Sequence, residues 1–79
     1  MRLKVVIANT PMQTKDIHDR EVYPAHVSLA GVLLFSTAVG NPGGPDSARE
    51  MKRTVMTQFA HRLHEVLVAD DVLLPAHDL

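Results

Sequence analysis

Residues 21–39, EVYPAHVSLAGVLLFSTAV, admit two readings, and the choice between them decides the fold. In one, Glu21–Leu29 and Val32–Val39 are two strands joined at Ala30-Gly31, with Gly31 supplying the positive φ that a tight turn needs. In the other, Pro24 opens and Gly40 closes a buried helix, following the preference for Pro at a helix start and Gly just past its end. A glycine in mid-helix costs about 1 kcal/mol relative to alanine, and the β-branched and aromatic residues after Gly31 favour extended backbone. The hairpin is therefore the expected structure. Pro24, which has no N–H to give to a ladder, is then expected at an edge or a bulge.

Upstream, Arg2–Asn9 alternates, Leu3, Val5 and Ile7 on one side against Lys4, Val6 and Ala8 on the other, which predicts a first strand. Thr10-Pro11-Met12-Gln13 carries the marks of a turn or a single helical turn. Between there and Val22 the apolar residues Met12, Ile17 and Val22 recur every five, a spacing that suits neither helix nor strand. An exposed polar loop is expected.

Downstream, Asn41-Pro42-Gly43-Gly44-Pro45 is a turn cluster. It leads into Ser47–Ala69, where Met51, Val55, Phe59, Leu63 and Leu67 recur every four residues with Met56, Ala60 and Val66 beside them. That is one apolar stripe on a long amphipathic helix, with Arg53, Thr57, His61, His64 and Glu65 facing away. Ser47 with Glu50 reads as a capping box, so the helix is expected to begin at Ala48, with Asp46 adding favourable charge. Val72-Leu73-Leu74, before Pro75, suggests a short fourth strand or an apolar tail lying on the sheet. The whole reads as a single α+β domain over residues 1–79: a two-layer sandwich in the order β-β-β-α, one long helix on a three-stranded antiparallel sheet.

Composition narrows the function. With 8 basic and 9 acidic residues and a net charge of −1, the chain is neither a general nucleic-acid binder nor a DNA mimic. Its helix carries Arg49, Lys52, Arg53 and Arg62 against Glu50 and Glu65, while Asp70, Asp71 and Asp78 follow it. Cysteine is absent, which removes thiol nucleophiles, disulfides and Cys-based zinc sites. No signal-peptide pattern opens the chain, and the apolar run 25–39 is well short of the roughly 20 residues that span a bilayer. A cytoplasmic protein without membrane association is expected. At 79 residues the core is small, so a monomer or a weak homodimer is anticipated.

The chemistry-bearing residues do not assemble into a site. His61 and His64, in H-R-L-H-E, are three apart and lack the spacing and the intervening Glu of H-E-x-x-H, so they read as solvated helix-face histidines and no metal is assigned. Ser28, Ser36 and Ser47 sit in no nucleophile setting, and no catalytic residue or cofactor is assigned. The NPGGP loop lacks the Lys-Ser/Thr of a phosphate-binding loop and reads as a structural turn.

In element order, HVSLAGVLLFSTAVG, then NPGGPDS, then a long helix, the chain resembles compact α+β anti-CRISPR inhibitors of phages and mobile elements. More distantly it is similar to sheet-and-helix antitoxins and double-stranded-RNA-binding domains. The first resemblance implies a non-enzymatic inhibitor that binds a larger protein or ribonucleoprotein complex and blocks the DNA-binding surface of a type I CRISPR effector. Asp16, Asp19, Glu21, Asp70 and Asp71 are the acidic residues expected to meet lysines on such a surface. The alternative is a dimeric nucleic-acid-binding regulator or antitoxin using Arg49, Lys52, Arg53 and Arg62.

Overall fold

Four elements follow one another along the chain: β1 (Leu3–Ile7), β2 (Val22–Leu29), β3 (Val32–Gly40) and α1 (Ser47–Ala69). They are seen in a computed structural model that describes residues 2–69. The decisive stretch is a hairpin, as its residue types require. Both turn residues are left-handed, Ala30 at φ 51° and Gly31 at φ 80°, the two-residue turn whose twist matches that of the flanking strands. The expectation assigned positive φ to Gly31 alone; Ala30 adopts it too, at a steric cost that glycine avoids.

The sheet has the order β1-β2-β3 and is antiparallel throughout, so β2 is central and β1 and β3 are the edges. Pro24 lies in the central strand, neither at an edge nor at a bulge. The reason lies in the hydrogen-bond directions. The Pro24 carbonyl accepts from the Ala8 N–H at 2.8 Å, one residue beyond the end of β1. In an antiparallel strand the N–H and C=O of one residue point to the same neighbour, so the donor that proline lacks would face Ala8, at the end of the regular β1–β2 pairing, and only the terminal bond of that ladder is forgone. The bulge falls instead at Val27/Ser28: Val27 opposes Phe35 and Ser28 opposes Leu33, which leaves Leu34 without a partner on β2.

One face of this sheet carries Val5, Ile7, Tyr23, Phe35 and Val39 around the buried Ala25 and Val27, and α1 packs on it through Met51, Val55, Met56 and Phe59. Val27 and Val55, both fully buried, are the centre of the core. Thr37 and Gln58, half-buried, bridge the two layers with a hydroxyl-to-carbonyl hydrogen bond of 2.6 Å. The result is the expected small α+β fold, with contacts between the helix and each of the three strands.

Two details of α1 differ from expectation. The helix begins at Ser47, because the Asp46 carbonyl already accepts the Glu50 N–H at 3.0 Å. Asp46 thus holds the N-cap position and Glu50 falls one place too late for a capping box. Gly43 and Gly44, at φ 76° and 87°, set this register by turning the chain sharply into the helix. The apolar stripe is also only half used. Met51 and Val55 are buried and Phe59 is half-buried, but Leu63 and Val66 are 48% and 43% exposed. The expected apolar segment Val72-Leu73-Leu74 lies outside the described residues.

Candidate interaction surfaces

The connection from β1 to β2, residues 8–21, is long for a compact domain, and loops of that length are usually functional. Its backbone is not loose. Ala8 and Met12 donate to the carbonyls of Pro24 and Val22, and Lys15 bridges to Glu21, so the ladder continues irregularly beyond the end of β1. At its tip Asp16 acts as a clasp. One carboxylate oxygen accepts from the N–H groups of His18 and Arg20, both at 2.8 Å, and the other from Arg20 Nε at 2.9 Å. The Asp16 N–H donates to the Arg20 carbonyl, and the Asp19 N–H to that of Asp16.

These contacts hold the Asp16 carboxyl below its ordinary pKa of 3.8, the backbone N–H of Arg20 contributing most and partial desolvation opposing it. The clasp rests on Gly40, where an added Cβ would stand 2.5 Å from Asp16 Oδ2. Within this stiffened turn Asp19 takes φ 60°, and Ile17 stands 94% exposed. Sequence reading treated Ile17 only as a break in periodicity. The signal that marks it is an aliphatic residue flanked by the turn formers Asp16 and Asp19.

The second surface is formed where α1 leaves the sheet. Phe59 meets Phe35 with ring centroids 5.8 Å apart, and residues 60–66 beyond it are all exposed. A groove of about 520 Å³ opens there, lined by Leu34, Phe35 and Ser36 on β3 and by Phe59, Leu63 and Val66 on α1. Arg62 lines it as well. Beside it Val32, Leu33 and Leu34 at the hairpin tip are 60%, 60% and 46% exposed. Strand β3 contains no charge and no proline, two of the devices that ordinarily protect an edge; its bulge at Leu34 interrupts the edge near the hairpin tip and leaves Phe35–Gly40 regular.

The acidic residues named from sequence are partly brought together. Asp16, Asp19 and Glu21 share the clasped loop, but Asp16 is committed to Arg20, and the Tyr23 hydroxyl donates to Glu21 at 3.2 Å. Asp70 and Asp71 lie outside the described residues. The basic set divides. Arg49, Lys52 and Arg53 share the first two turns of α1, whereas Arg62, nine residues past Arg53, is about two and a half turns on and faces the opposite side, into the groove. His61 does not join His64; its Nδ1 lies 3.1 Å from Glu65 Oε1, an exposed pair that attracts as charges only when the imidazole is protonated. Among the described residues no three potential metal ligands converge, and no helix is long and apolar enough to cross a membrane.

Comparison with protein-family models, with curated proteins and with solved structures finds no match to this chain.

Proposed function

We propose that this protein is a non-enzymatic binding protein that acts by occupying the surface of a larger protein or ribonucleoprotein complex. The observation that carries the reading is Ile17, an aliphatic side chain 94% exposed on a turn fixed by five hydrogen bonds around Asp16. Isolated exposed aliphatics are ordinary on folded surfaces, and what sets Ile17 apart is the ordered turn that carries it. On an ordered turn the conformational entropy of the contact is lost at folding rather than at binding, which favours affinity. Asp19 and Glu21 flank this anchor and supply charge complementarity to lysines or arginines around a receiving pocket.

The most concrete form of the reading is an anti-CRISPR inhibitor that covers the DNA-binding lysines of a type I effector complex. The basic residues of α1 support a nucleic-acid interface less well, because Arg62 points opposite to Arg53 and into the groove, about two and a half turns from it. The test is capture of partners by tagged protein from lysate, with and without nuclease. A protein complex that survives nuclease and is released when Asp19 and Glu21 are both changed to Lys supports the proposal. Recovery of nucleic acid alone, lost on nuclease treatment and at raised salt, would replace it with the regulator reading.

A further inference from the structure

We propose that a second copy of this chain covers the groove, the two copies pairing antiparallel through their β3 edges with the end of each α1 reaching across the junction. The first ground is the edge itself. Asn41 donates to the Glu21 carbonyl, toward β2, so by alternation along the strand the N–H groups of Val39 and Thr37 also face β2. Those of Ser36, Ala38 and Gly40 point the other way, off the sheet. Within a strand of nine uncharged residues, Ser36, Ala38 and Gly40 thus present backbone donors and acceptors with no partner among the described residues, and a strand without charge meets its own copy without like-charge repulsion.

The second ground is the length of the helix beyond the sheet. The helix starts against Ile7 and Tyr23, crosses to Thr37 through Gln58, and reaches Phe35 through Phe59 on the edge strand. Residues 60–69 then extend roughly 15 Å at 1.5 Å per residue. The contacts advance along β3, from the level of Val39 to that of Phe35, as well as across the sheet, so the arm overhangs the β3 edge by less than its own length, about one to two strand spacings of roughly 4.8 Å. A twofold-related β3 hydrogen-bonded to this one lies within that overhang; the partner's inner face is covered by its own α1, so Leu63 and Val66 then meet the partner's β3 edge and the matching arm.

The third ground is area. A strip the length of β3, about 30 Å, and about 15–20 Å high from sheet edge to helix gives roughly 500 Å² per copy. The total of about 1,000 Å² is where a specific interface becomes credible, at the weak end of the range. The interface is isologous and closes on itself, so it yields a dimer rather than a filament. The clasped loop, seated at the Gly40 end of β3, is a separate surface, and the dimer presents it twice.

The experiment is sedimentation velocity on the full chain over roughly 1 μM to 1 mM, the range suited to a small interface. Alongside it runs the Leu63→Glu, Val66→Glu double variant, with amide hydrogen exchange followed on both. The proposal expects concentration-dependent dimer for the parent chain and monomer for the variant with unchanged far-ultraviolet dichroism. It also expects Ser36 and Ala38 amides to exchange at least about 100-fold slower in the parent. A chain monomeric throughout, or a dimer indifferent to both substitutions with Ser36 and Ala38 exchanging freely, would overturn it. A monomer that unfolds on these substitutions would overturn it too, assigning the cover of the arm to residues within the same chain.

Discussion

The Phe59 ring stands 5.8 Å from that of Phe35, tilted by 49°, and this contact is where α1 leaves the sheet. Before it the helix is buried by three strands; after it Leu63 and Val66 face solvent. Core and surface therefore divide one continuous stripe. Val55→Ala, at the fully buried end, should lower unfolding free energy by about 2 kcal/mol, a large share of the few kcal/mol available to so small a domain. Urea denaturation checks this; a loss below about 0.5 kcal/mol would mean the helix does not pack as described.

Thr37 and Gln58 are paired across the layers at 2.6 Å, both half-buried. Thr37→Val strands the Gln58 carbonyl oxygen and should cost about 1 kcal/mol or somewhat more, whereas Thr37→Val with Gln58→Leu should recover most of that loss. A double-mutant cycle by chemical denaturation reads the coupling directly; additive effects would show that the hydrogen bond does not contribute.

Ala30 sits at φ 51° in a two-residue turn. Ala30→Asn supplies a residue suited to that conformation and should stabilise the hairpin by up to about 1 kcal/mol, which in a domain of this size raises Tm by roughly 4–8 °C. An unchanged or lowered Tm would argue against the left-handed turn.

The clasp at Asp16 is acid-sensitive in a definite direction. Its folded-state pKa is depressed below 3.8, so its contribution to stability is present above that value and is lost as pH falls through the lower folded-state pKa. Below about pH 4 the amide resonances of His18 and Arg20 should shift together toward their unbonded positions, and Asp16→Asn should abolish that step. Gly40→Ala should loosen the clasp at neutral pH, since the new methyl occupies the place of the Asp16 carboxylate. A pH-independent spectrum would contradict the clasp.

How far the sequence could be read follows from which forces were local. The hairpin was legible because Gly31 and the β-branched residues after it are near neighbours in the chain, and α1 because its stripe repeats every four residues. Pro24 was misplaced because its tolerance depends on where β1 ends, a nonlocal fact. The capping register turned on the Gly43-Gly44 conformation rather than on Ser47. The division of the stripe at Phe59 was invisible, since periodicity reports which face is apolar but not how far the sheet beneath it extends. Ile17 was missed for a similar reason: its exposure comes from the Asp16–Arg20 clasp, which joins residues four apart in an irregular turn.

Binding through the clasped loop is tested most directly by Ile17→Asp. Because Ile17 is 94% exposed, the substitution removes the anchor without touching the core. Partner capture after nuclease treatment should fall at least about tenfold for Ile17→Asp with thermal stability unchanged, the loss expected of one central apolar contact. Capture at the parental level by a fully folded Ile17→Asp protein would contradict the account.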